Sequence, residues 1–328
     1  MNILLLGGDG FIGYHLAKMI RHDHDVTVFD IANSRCDDIL NDITFINDDI
    51  RTADVDHLIQ EADLVVDLIA YANPSIYIDQ PVEVFELNFT ENYKIAQLCS
   101  KHSKRLIQFS TCEVYGNHGD SNEPWDEDVT QYILGPVNKH RWIYSCAKQM
   151  LERVLHAYGL ADRLNYTIIR PFNFIGPKID FLPSEQPGCP RVFSHFIDAL
   201  KTGNDMKLVN GGKQRRAYTY INDAIECILH IIRCPDICNK EIINIGSPDN
   251  ETSIKGLAKL MCQIYTDRGW GNTLPDIVSM SGEEFYGKGY DDAIRRIPSI
   301  DKVHLMFGWQ PTTCLRTTIE KSMEYWFK

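Results

Sequence analysis

The chain has 328 residues, 44% of them hydrophobic and 24% charged, a composition typical of a globular protein. Because domains usually contain about 100–200 residues, this length predicts two lobes. No stretch approaches the roughly 18 apolar residues that cross a bilayer, and the N-terminal run ILLL ends at two glycines. We therefore expect no membrane partner and interpret that run as a strand rather than a signal peptide.

The acidic charge balance limits the partners of this protein. Asp and Glu number 45 against 33 Lys and Arg, so the formal charge is −12. Such a surface repels polyphosphate chains, and no nucleic-acid partner is expected. An anionic ligand would need a local basic pocket, for which Lys207–Arg216 (KLVNGGKQRR) is the candidate. The alternative for this stretch is a solvated loop.

The cysteines indicate the compartment and argue against a metal site. Ten cysteines without a secretory signal indicate reduced thiols in a cytoplasmic protein rather than a disulfide framework. Cys234 and Cys238 have a metal-like spacing, but Pro235 lies between them and no second pair follows at zinc-site distance. No metal is expected.

Apolar strands alternate with helical patterns along the first half of the chain. The predicted strands are 2–6, 25–30, 63–70, 104–110, 165–170 and 241–246, and the predicted helices are 11–20, 82–102, 141–158 and 222–233. Several strands are apolar throughout, as parallel strands are when helices cover both faces. The pattern predicts an α/β fold with a Rossmann-type doubly wound parallel sheet.

A second, smaller α/β lobe is predicted after Arg170, where the stretches PFNFIGP and FLPSEQPGCP are dense in proline and glycine. The helix at 222–233 and the strand at 241–246 suit the first sheet, so the second lobe is discontinuous. We assign residues 1–172 and 218–246 to the sheet domain, and residues 173–217 and 247–328 to the second lobe.

Gly7, Gly10 and Gly13 form a GxxGxxG pattern between the first strand and the first helix. Glycines there allow the backbone to turn tightly and to approach a pyrophosphate, which the helix N-terminus attracts. Phe11 and Ile12 lie within the same turn. This context predicts a dinucleotide cofactor bound by the sheet domain.

The end of the second strand predicts which dinucleotide is bound. Asp30 lies there, where a carboxylate can accept hydrogen bonds from ribose hydroxyls and repels a 2′-phosphate. The next residue, Ile31, is not basic, so NAD is preferred over NADP. Asp49 and Ile50 follow the third strand and would contact the adenine, although Asp49 equally suits a simple turn.

Tyr144 and Lys148, in YSCAK, are four residues apart and share one face of a predicted helix. An adjacent ammonium and an oxidised nicotinamide both favour the tyrosine phenolate, which can accept a hydroxyl proton while hydride leaves the same carbon. Thr111 ends a strand about 30 residues earlier. Together with the glycine turn, this set predicts a dehydrogenase chemistry.

These motifs resemble the extended short-chain dehydrogenase/reductase family over nearly the whole chain. Within it, the stretches GPVNKHRWIYS, NGGKQRR and YGKGYDD are similar to UDP-glucuronic acid decarboxylases of the polymyxin-resistance type. The stretches STCEVYG, DFLPSEQPGCPRVF and EFYGKGYDD resemble UDP-apiose/xylose synthases instead. The resemblance implies NAD as cofactor, UDP-glucuronic acid as substrate, and a homodimer formed through the helices near 82–102 and 141–158.

The resemblance also implies roles for individual residues. The residues that would carry the reaction are Thr111, Glu113, Tyr144, Lys148 and Arg296. The residues that would contact the substrate are Tyr77, Arg141, Asn173, Arg191, Lys207, Arg216 and Tyr290. The implied reaction is oxidation at C4, loss of the C6 carboxylate, and release of UDP-4-keto-pentose or UDP-xylose.

Cys112 departs from the decarboxylase pattern, which has serine at this position. A thiol is a weaker hydrogen-bond partner than a hydroxyl but a better acid and nucleophile. We therefore include Cys112 among the candidate catalytic residues and keep ring contraction to UDP-apiose as the alternative outcome. Further alternatives are another nucleotide-sugar 4-epimerase or dehydratase, and a non-catalytic dinucleotide-sensing protein.

Overall fold

The computed structural model describes residues 1–119, 121–186 and 188–328. In chain order its strands are β1 Asn2–Leu6, β2 Asp25–Asp30, β3 Thr44–Asn47, β4 Leu64–Asp67, β5 Arg105–Phe109, β6 Tyr166–Pro171, β7 Phe174–Ile175, β8 Met206–Val209, β9 Arg215–Ala217, β10 Thr219–Tyr220, β11 Glu241–Ile245, β12 Glu251–Ser253, β13 Ile277–Met280 and β14 Arg295–Arg296. The α-helices are α1 Phe11–Ile20, α2 Asp56–Glu61, α3 Pro74–Asp79, α4 Pro81–Phe85, α5 Asn92–Lys101, α6 Ile143–Leu160, α7 Val192–Thr202, α8 Ile221–Arg233, α9 Pro235–Cys238, α10 Ile254–Asp267, α11 Gly282–Tyr286, α12 Asp301–Phe307 and α13 Leu315–Phe327.

Seven strands form the central sheet in the order β11-β6-β5-β4-β1-β2-β3. Every neighbouring pair is parallel. Successive side chains of β1 enter two different cores, because side chains alternate between the faces of a strand. Ile3 and Leu5 belong to the core on one face, and Leu4 and Leu6 to the core on the other. The doubly wound parallel sheet predicted from the sequence is confirmed.

The helix predicted at 82–102 is interrupted by a segment of wider turns. Between α4 and α5 the residues Glu86–Glu91 form a π-helix, which carries Asn88 in a buried position. Asn92, the first residue of α5, is also fully buried. Such segments inside helices are frequent at functional sites. The π-helix thus places the side-chain amides of Asn88 and Asn92 in buried positions.

The residues beyond β6 add small strand pairs beside the main sheet. Strand β9 pairs with β12 and with β14, and β8 pairs with β13. In the parallel pairing of β9 with β14, Arg216 is the register partner of Arg296. Strand β11 returns to the edge of the main sheet next to β6. The exact division of the chain into two lobes stays a prediction.

Two further properties bear on the sequence analysis. The ten cysteines are all free thiols. Within the described ranges, the helices are too short or too polar to cross a membrane.

Candidate active site

The turn after β1 brings backbone rather than side chains to the edge of the sheet. Gly7 has a φ of 76°, a conformation that disfavours any residue with a Cβ. A Cβ at Gly13 would lie 2.6 Å from the Cα of Gly8. Helix α1 begins immediately after this turn, at Phe11. The turn is therefore a cradle of backbone at a helix N-terminus, which suits the pyrophosphate of a dinucleotide.

Asp30 is held at the rim of this cradle. Its Oδ2 accepts the backbone N–H of Asp9 at 2.9 Å, and its Oδ1 accepts that of Ala32 at 3.1 Å. Burial raises the pKa of Asp30. It lines a cavity of about 770 Å³ together with Gly7 and Gly10. This carboxylate is positioned to accept the ribose hydroxyls of a dinucleotide.

Asp9 is a further residue of the cradle that the sequence analysis missed. It is 1% exposed, and its carboxylate accepts the backbone N–H groups of Ser34, Arg35 and Cys36. It therefore fixes the loop after β2 against the glycine turn. The only local signal was an acidic residue between the glycines of GGDG.

Asp49 and Ile50 line the same cavity. The Nε of Arg51 donates to both carboxylate oxygens of Asp49, at 2.9 and 3.0 Å, and this contact lowers the pKa of Asp49. The Asp49 carbonyl also accepts the N–H of Ala53 in a turn. The adenine-contact and turn interpretations of Asp49 both fit this arrangement.

The cavity at Asp30 adjoins two others along the carboxyl edge of the sheet. The second encloses about 1050 Å³ and is lined by Phe11, Ile12, Gly13 and Arg191. The third encloses about 940 Å³ and is also lined by Arg191. We call this third cavity the arginine cleft, and the residues Glu113, Arg141, Asn173, Arg191, Arg216, Tyr290, Asp292 and Arg296 line it.

Tyr144 lies beside the arginine cleft in a layer of aromatic rings. Its ring stacks on that of Tyr77, with centroids 4.6 Å apart and planes 10° apart. The guanidinium of Arg141 lies 5.1 Å from the centroid of the Tyr77 ring. Burial and the nearby Glu113 carboxylate raise the pKa of Tyr144, and the Thr111 hydroxyl partly offsets them. The predicted substrate contacts Tyr77 and Arg141 are thus adjacent to the predicted base.

Lys148 is buried one turn further along α6. Its Nζ donates to Asn92 Oδ1 at 2.8 Å and to the Phe109 carbonyl at 3.0 Å. Burial lowers the pKa of Lys148 to about 8, although Asp67 and Glu152 oppose the shift. Sequence reasoning missed Asn92, because a helix prediction for 82–102 does not indicate which amide faces the lysine.

The stretch that follows β5 supplies three candidate catalytic residues. Cys112–Tyr115 form a short 3₁₀ helix, and Thr111 Oγ1 caps it by accepting the Glu113 N–H at 3.1 Å. Burial raises the pKa of the Cys112 thiol to about 11, with Arg296 opposing. The thiol is therefore protonated near neutral pH. Cys112 is 3% exposed and packs with Phe172 and Trp125.

Glu113 is turned into the arginine cleft and bridges two guanidinium groups. It forms salt bridges with Arg141 and with Arg296, the latter at 3.0 Å. Burial opposes ionisation of Glu113, but the two arginines outweigh it and lower the pKa of Glu113. The carboxylate is therefore charged at neutral pH.

Asp292 is a second carboxylate of the arginine cleft and was missed by the sequence analysis. It forms salt bridges with Arg216, at 2.7 Å, and with Arg296. The Tyr290 hydroxyl donates to it at 3.2 Å, and an Arg141 nitrogen lies 3.7 Å away. The sequence did offer a hint, since Asp292 belongs to the acidic pair that ends YGKGYDD. Only Tyr290 of that stretch was predicted to contact the substrate.

The arginine cleft has an excess of positive charge. Within the described residues, Arg141, Arg216 and Arg296 form salt bridges with two carboxylates, Glu113 and Asp292, which leaves one positive charge uncompensated in this cluster. A buried cationic cluster of this kind can bind an anionic ligand in a protein whose surface is acidic.

The remaining predicted substrate contacts differ in their positions. Asn173 lines the arginine cleft, and its Nδ2 donates to the Ala217 carbonyl at 3.2 Å. Arg191 lies between the second and third cavities and is paired with Asp180 at 2.9 Å. Lys207 lies on β8 with its side chain exposed. The residues before and after it are buried, because side chains alternate between the two faces of a strand. The structure does not bring Lys207 into the cleft.

Comparisons with known proteins identify a family model and full-length relatives. The model of the "NAD dependent epimerase/dehydratase family" matches residues 3–246. UDP-D-apiose/UDP-D-xylose synthase 1 of Arabidopsis thaliana is 36% identical over 356 aligned residues, covering 99% of this chain and 91% of the relative.

Solved structures share the fold over the full length. The PbgP3 protein of Burkholderia pseudomallei has a TM-score of 0.87 and 32% identity, with 99% of this chain and 96% of that chain covered. A UDP-glucuronic acid 4-epimerase of Bacillus cereus, in complex with UDP-glucuronic acid and NAD, has a TM-score of 0.82 at 21% identity, covering 99% and 98%. The latter comparison concerns the fold alone.

Asp292→Asn should destabilise the protein by about 3 kcal/mol near neutral pH, because it leaves buried arginines uncompensated. Burial opposes ionisation of Asp292, but Arg296, Arg216 and Arg141 outweigh it and hold the pKa of Asp292 well below its ordinary value. A lowered pKa stabilises the fold above the pKa of the unfolded aspartate, about 3.9. The stability difference should therefore stay constant between about pH 6 and pH 5 and shrink as the pH falls below about 4 toward pH 3.

Urea unfolding of wild type and variant across this pH range measures the effect. Asp291→Asn is the matched control, since Asp291 accepts a hydrogen bond from Trp142 outside the three-arginine cluster. An equal loss of stability in both variants would contradict the role assigned to Asp292.

Proposed function

The chain belongs to the NAD dependent epimerase/dehydratase family, and from this premise we propose that it oxidises UDP-glucuronic acid at C4 and removes the C6 carboxylate as carbon dioxide. The membership confirms the family resemblance and the NAD dependence predicted from the sequence. The proposed product is UDP-4-keto-pentose if the hydride stays on the cofactor and UDP-xylose if it returns to C4, with ring contraction to UDP-apiose as the alternative. The observation that carries the proposal is the buried cluster of three arginines beside Tyr144.

The proposed cofactor site follows from the glycine cradle. Gly7, Gly10 and Gly13 would admit the pyrophosphate of NAD, and Asp30 would accept the ribose hydroxyls. Phe11 and Ile12 line the neighbouring cavity, and Asp49 and Ile50 line the far end of the first one. Bound NAD supplies the acceptor for the hydride that leaves C4.

The proposed substrate is anionic at two places, which matches the charge of the arginine cleft. UDP-glucuronic acid carries a diphosphate and a C6 carboxylate, and Arg141, Arg216 and Arg296 leave one positive charge for such a ligand. A UDP-hexose without the carboxylate would offer this cluster only its diphosphate. The identity to a UDP-D-apiose/UDP-D-xylose synthase supports the same substrate class.

Tyr144 is the proposed base for the C4 hydroxyl. Its raised pKa is opposite to the acidification expected from the adjacent ammonium, so the proposed role requires the positive charge of a bound oxidised nicotinamide to favour the phenolate. The Thr111 hydroxyl would share the hydrogen bond to the same oxygen. Lys148, one helical turn away, carries the positive charge that favours the phenolate.

The decarboxylation step follows from the position of the ketone. The C4 carbonyl is β to the carboxylate, so cleavage of the C5–C6 bond releases carbon dioxide and leaves the electron pair in an enolate on the C4 oxygen. The Arg296 guanidinium would orient the leaving carboxylate, and Glu113 would act in the reprotonation of C5. Orientation and charge stabilisation account for the catalysis of this step.

Purified protein incubated with UDP-glucuronic acid and NAD should release carbon dioxide and a decarboxylated UDP-sugar, identified by NMR and mass spectrometry. Tyr144→Phe should lower turnover by at least about 100-fold while retaining NAD binding, because it removes the general base. Tyr158→Phe, the same change near the other end of α6, is the control and should keep activity.

Three results of this assay would oppose the proposal. A UDP-sugar epimerised at C4 with its carboxylate retained would favour a 4-epimerase, and a 6-deoxy product from a TDP- or UDP-hexose would favour a dehydratase. Binding of NAD without turnover of any such sugar would favour a dinucleotide-sensing protein.

The product ratio should depend on the residue at position 112. Cys112→Ser is expected to keep decarboxylation and to raise the share of unrearranged pentose over UDP-apiose, because a hydroxyl holds the intermediate by stronger hydrogen bonds than a thiol. Product NMR measures the ratio, and Cys262→Ser, in helix α10, is the control. An unchanged ratio would remove Cys112 from the catalytic set and oppose ring contraction.

We further propose that the protein is a homodimer. The outer surface of the α4 and α6 region carries the apolar side chains Val82 at 63%, Phe85 at 39% and Met150 at 50% exposure. Exposed apolar side chains grouped in this way are typical of an interface. Sedimentation velocity should give about twice the chain mass of 37.6 kDa. The double variant Phe85→Glu with Met150→Glu should sediment as a monomer, and a monomeric wild type would contradict the proposal.

A further inference from the structure

Asp67 is a buried carboxylate at the end of β4 that the proposed reaction does not use. Its side chain is fully buried, and its Oδ1 accepts the backbone N–H of Ile69 at 3.0 Å. Among the residues that the structure describes, the other oxygen, Oδ2, has no hydrogen-bond partner. Burying a carboxylate is unfavourable unless an opposite charge or hydrogen bonds compensate it. The question is which group compensates Asp67.

A polar layer connects Asp67 with Lys148. Gln108 on β5 is the register partner of Asp67, and its Nε2 lies 3.4 Å from the Asp67 carbonyl and 3.4 Å from Asn92 Oδ1. Asn92 Oδ1 accepts the Lys148 ammonium at 2.8 Å. The Oε1 of Gln108 also has no partner within the described ranges. These hydrogen bonds reach the backbone carbonyl of Asp67, and its carboxylate is close enough to Gln108 and Lys148 for both to favour its ionisation.

Lys148 has two acidic neighbours, and one of them is already paired. Glu152 forms a salt bridge with Arg170 at 2.7 Å and accepts the Ser110 hydroxyl at 2.5 Å. Of the two, Asp67 contributes more to keeping Lys148 charged. In return, the Lys148 ammonium favours ionisation of Asp67. Cys99 on α5 is the other titratable group affected by Asp67, and burial raises the pKa of its thiol so that it stays neutral.

We propose that Asp67 is a positioning residue for the proposed reaction: its carboxylate is the buried counter-ion that keeps Lys148 charged and directed toward Asn92 and the Phe109 carbonyl. This inference rests on the proposed role of Lys148 beside Tyr144. Strand β4, which carries Asp67, thereby takes part in the proposed reaction together with the tyrosine and lysine of α6.

The proposal defines the pH range in which the pair is charged. Burial raises the pKa of Asp67 to about 6, although Lys148 opposes the shift. Burial lowers the pKa of Lys148 to about 8. Asp67 becomes neutral below the first value and Lys148 above the second. Between them both groups carry charge, and Lys148 can support the Tyr144 phenolate.

Asp67→Asn tests the proposal because it removes the charge and keeps the shape. The alkaline limb of the kcat profile should move to lower pH, with a loss of roughly fivefold near pH 8 and a smaller loss near pH 6.5. Side-chain NMR of ¹⁵N-labelled lysine, on protein without substrate, should show Lys148 titrating at lower pH than in wild type. Glu127→Gln is the matched control, since Glu127 is also a buried carboxylate but receives the Asn244 N–H and has Lys302 as its basic neighbour.

An unchanged Lys148 titration and an unchanged alkaline limb in folded Asp67→Asn would overturn the proposal. If this variant does not fold, Lys148→Met provides the reciprocal measurement, in which the ¹³C signal of the Asp67 carboxyl should titrate at higher pH than in wild type. The absence of that shift would overturn the proposal equally. Both NMR titrations are independent of the sugar turned over, so failure of the decarboxylation assay leaves this test intact.

Discussion

The charge compensation among Arg141, Arg216 and Arg296 is the interaction on which the sugar end of the cleft depends. Three guanidinium groups are buried against two carboxylates, Glu113 and Asp292. Removing either carboxylate would leave buried positive charge, and adding an anionic ligand would neutralise it. The same arrangement therefore stabilises this part of the fold and, in the proposed function, would select an anionic substrate. It would also let an acidic protein bind an acidic ligand.

Helix α6 joins this cluster to the cofactor side of the molecule. Tyr144 stacks on Tyr77 beside the arginine cleft, while Lys148, one turn later, is directed into the sheet at the Phe109 carbonyl. The π-helical turns before α5 bring Asn92 to the same ammonium. The tyrosine and the lysine thus have different surroundings. In the proposed reaction these separate environments would let Tyr144 exchange a proton with the sugar while Lys148 supplies charge.

The thiol of Cys112 occupies the boundary between these two regions. It is buried beside Arg296 yet stays protonated, since burial outweighs the guanidinium. A neutral thiol constrains an adjacent sugar intermediate less than a hydroxyl does. This difference offers a physical route by which one scaffold supports either simple decarboxylation or rearrangement.

Local sequence patterns were sufficient to predict the sheet, the glycine turn and the shared helix face of Tyr144 and Lys148. Hydrophobic periodicity, glycine content and the helical repeat are all properties of residues that are neighbours in the sequence. Some element ends were close and others were not: the strand predicted at 165–170 is Tyr166–Pro171, whereas the strand predicted at 63–70 is Leu64–Asp67. Contacts between distant segments depended on the tertiary structure. The pairing of Arg216 with Arg296 arises from the register of β9 and β14, and the pleat of β8, in a separate strand pair, directs Lys207 to solvent.

Asp292 and Asp67 illustrate the same limit, since each is an ordinary acidic residue in the sequence. Asp292 has Arg296 four positions away, but its other partner Arg216, like the Lys148 ammonium near Asp67, lies more than 70 positions away. Composition and periodicity determine which segments form the layers of this protein. Which charged groups are buried together is decided only when the layers pack, because that choice depends on the desolvation and pairing of side chains that no local pattern connects.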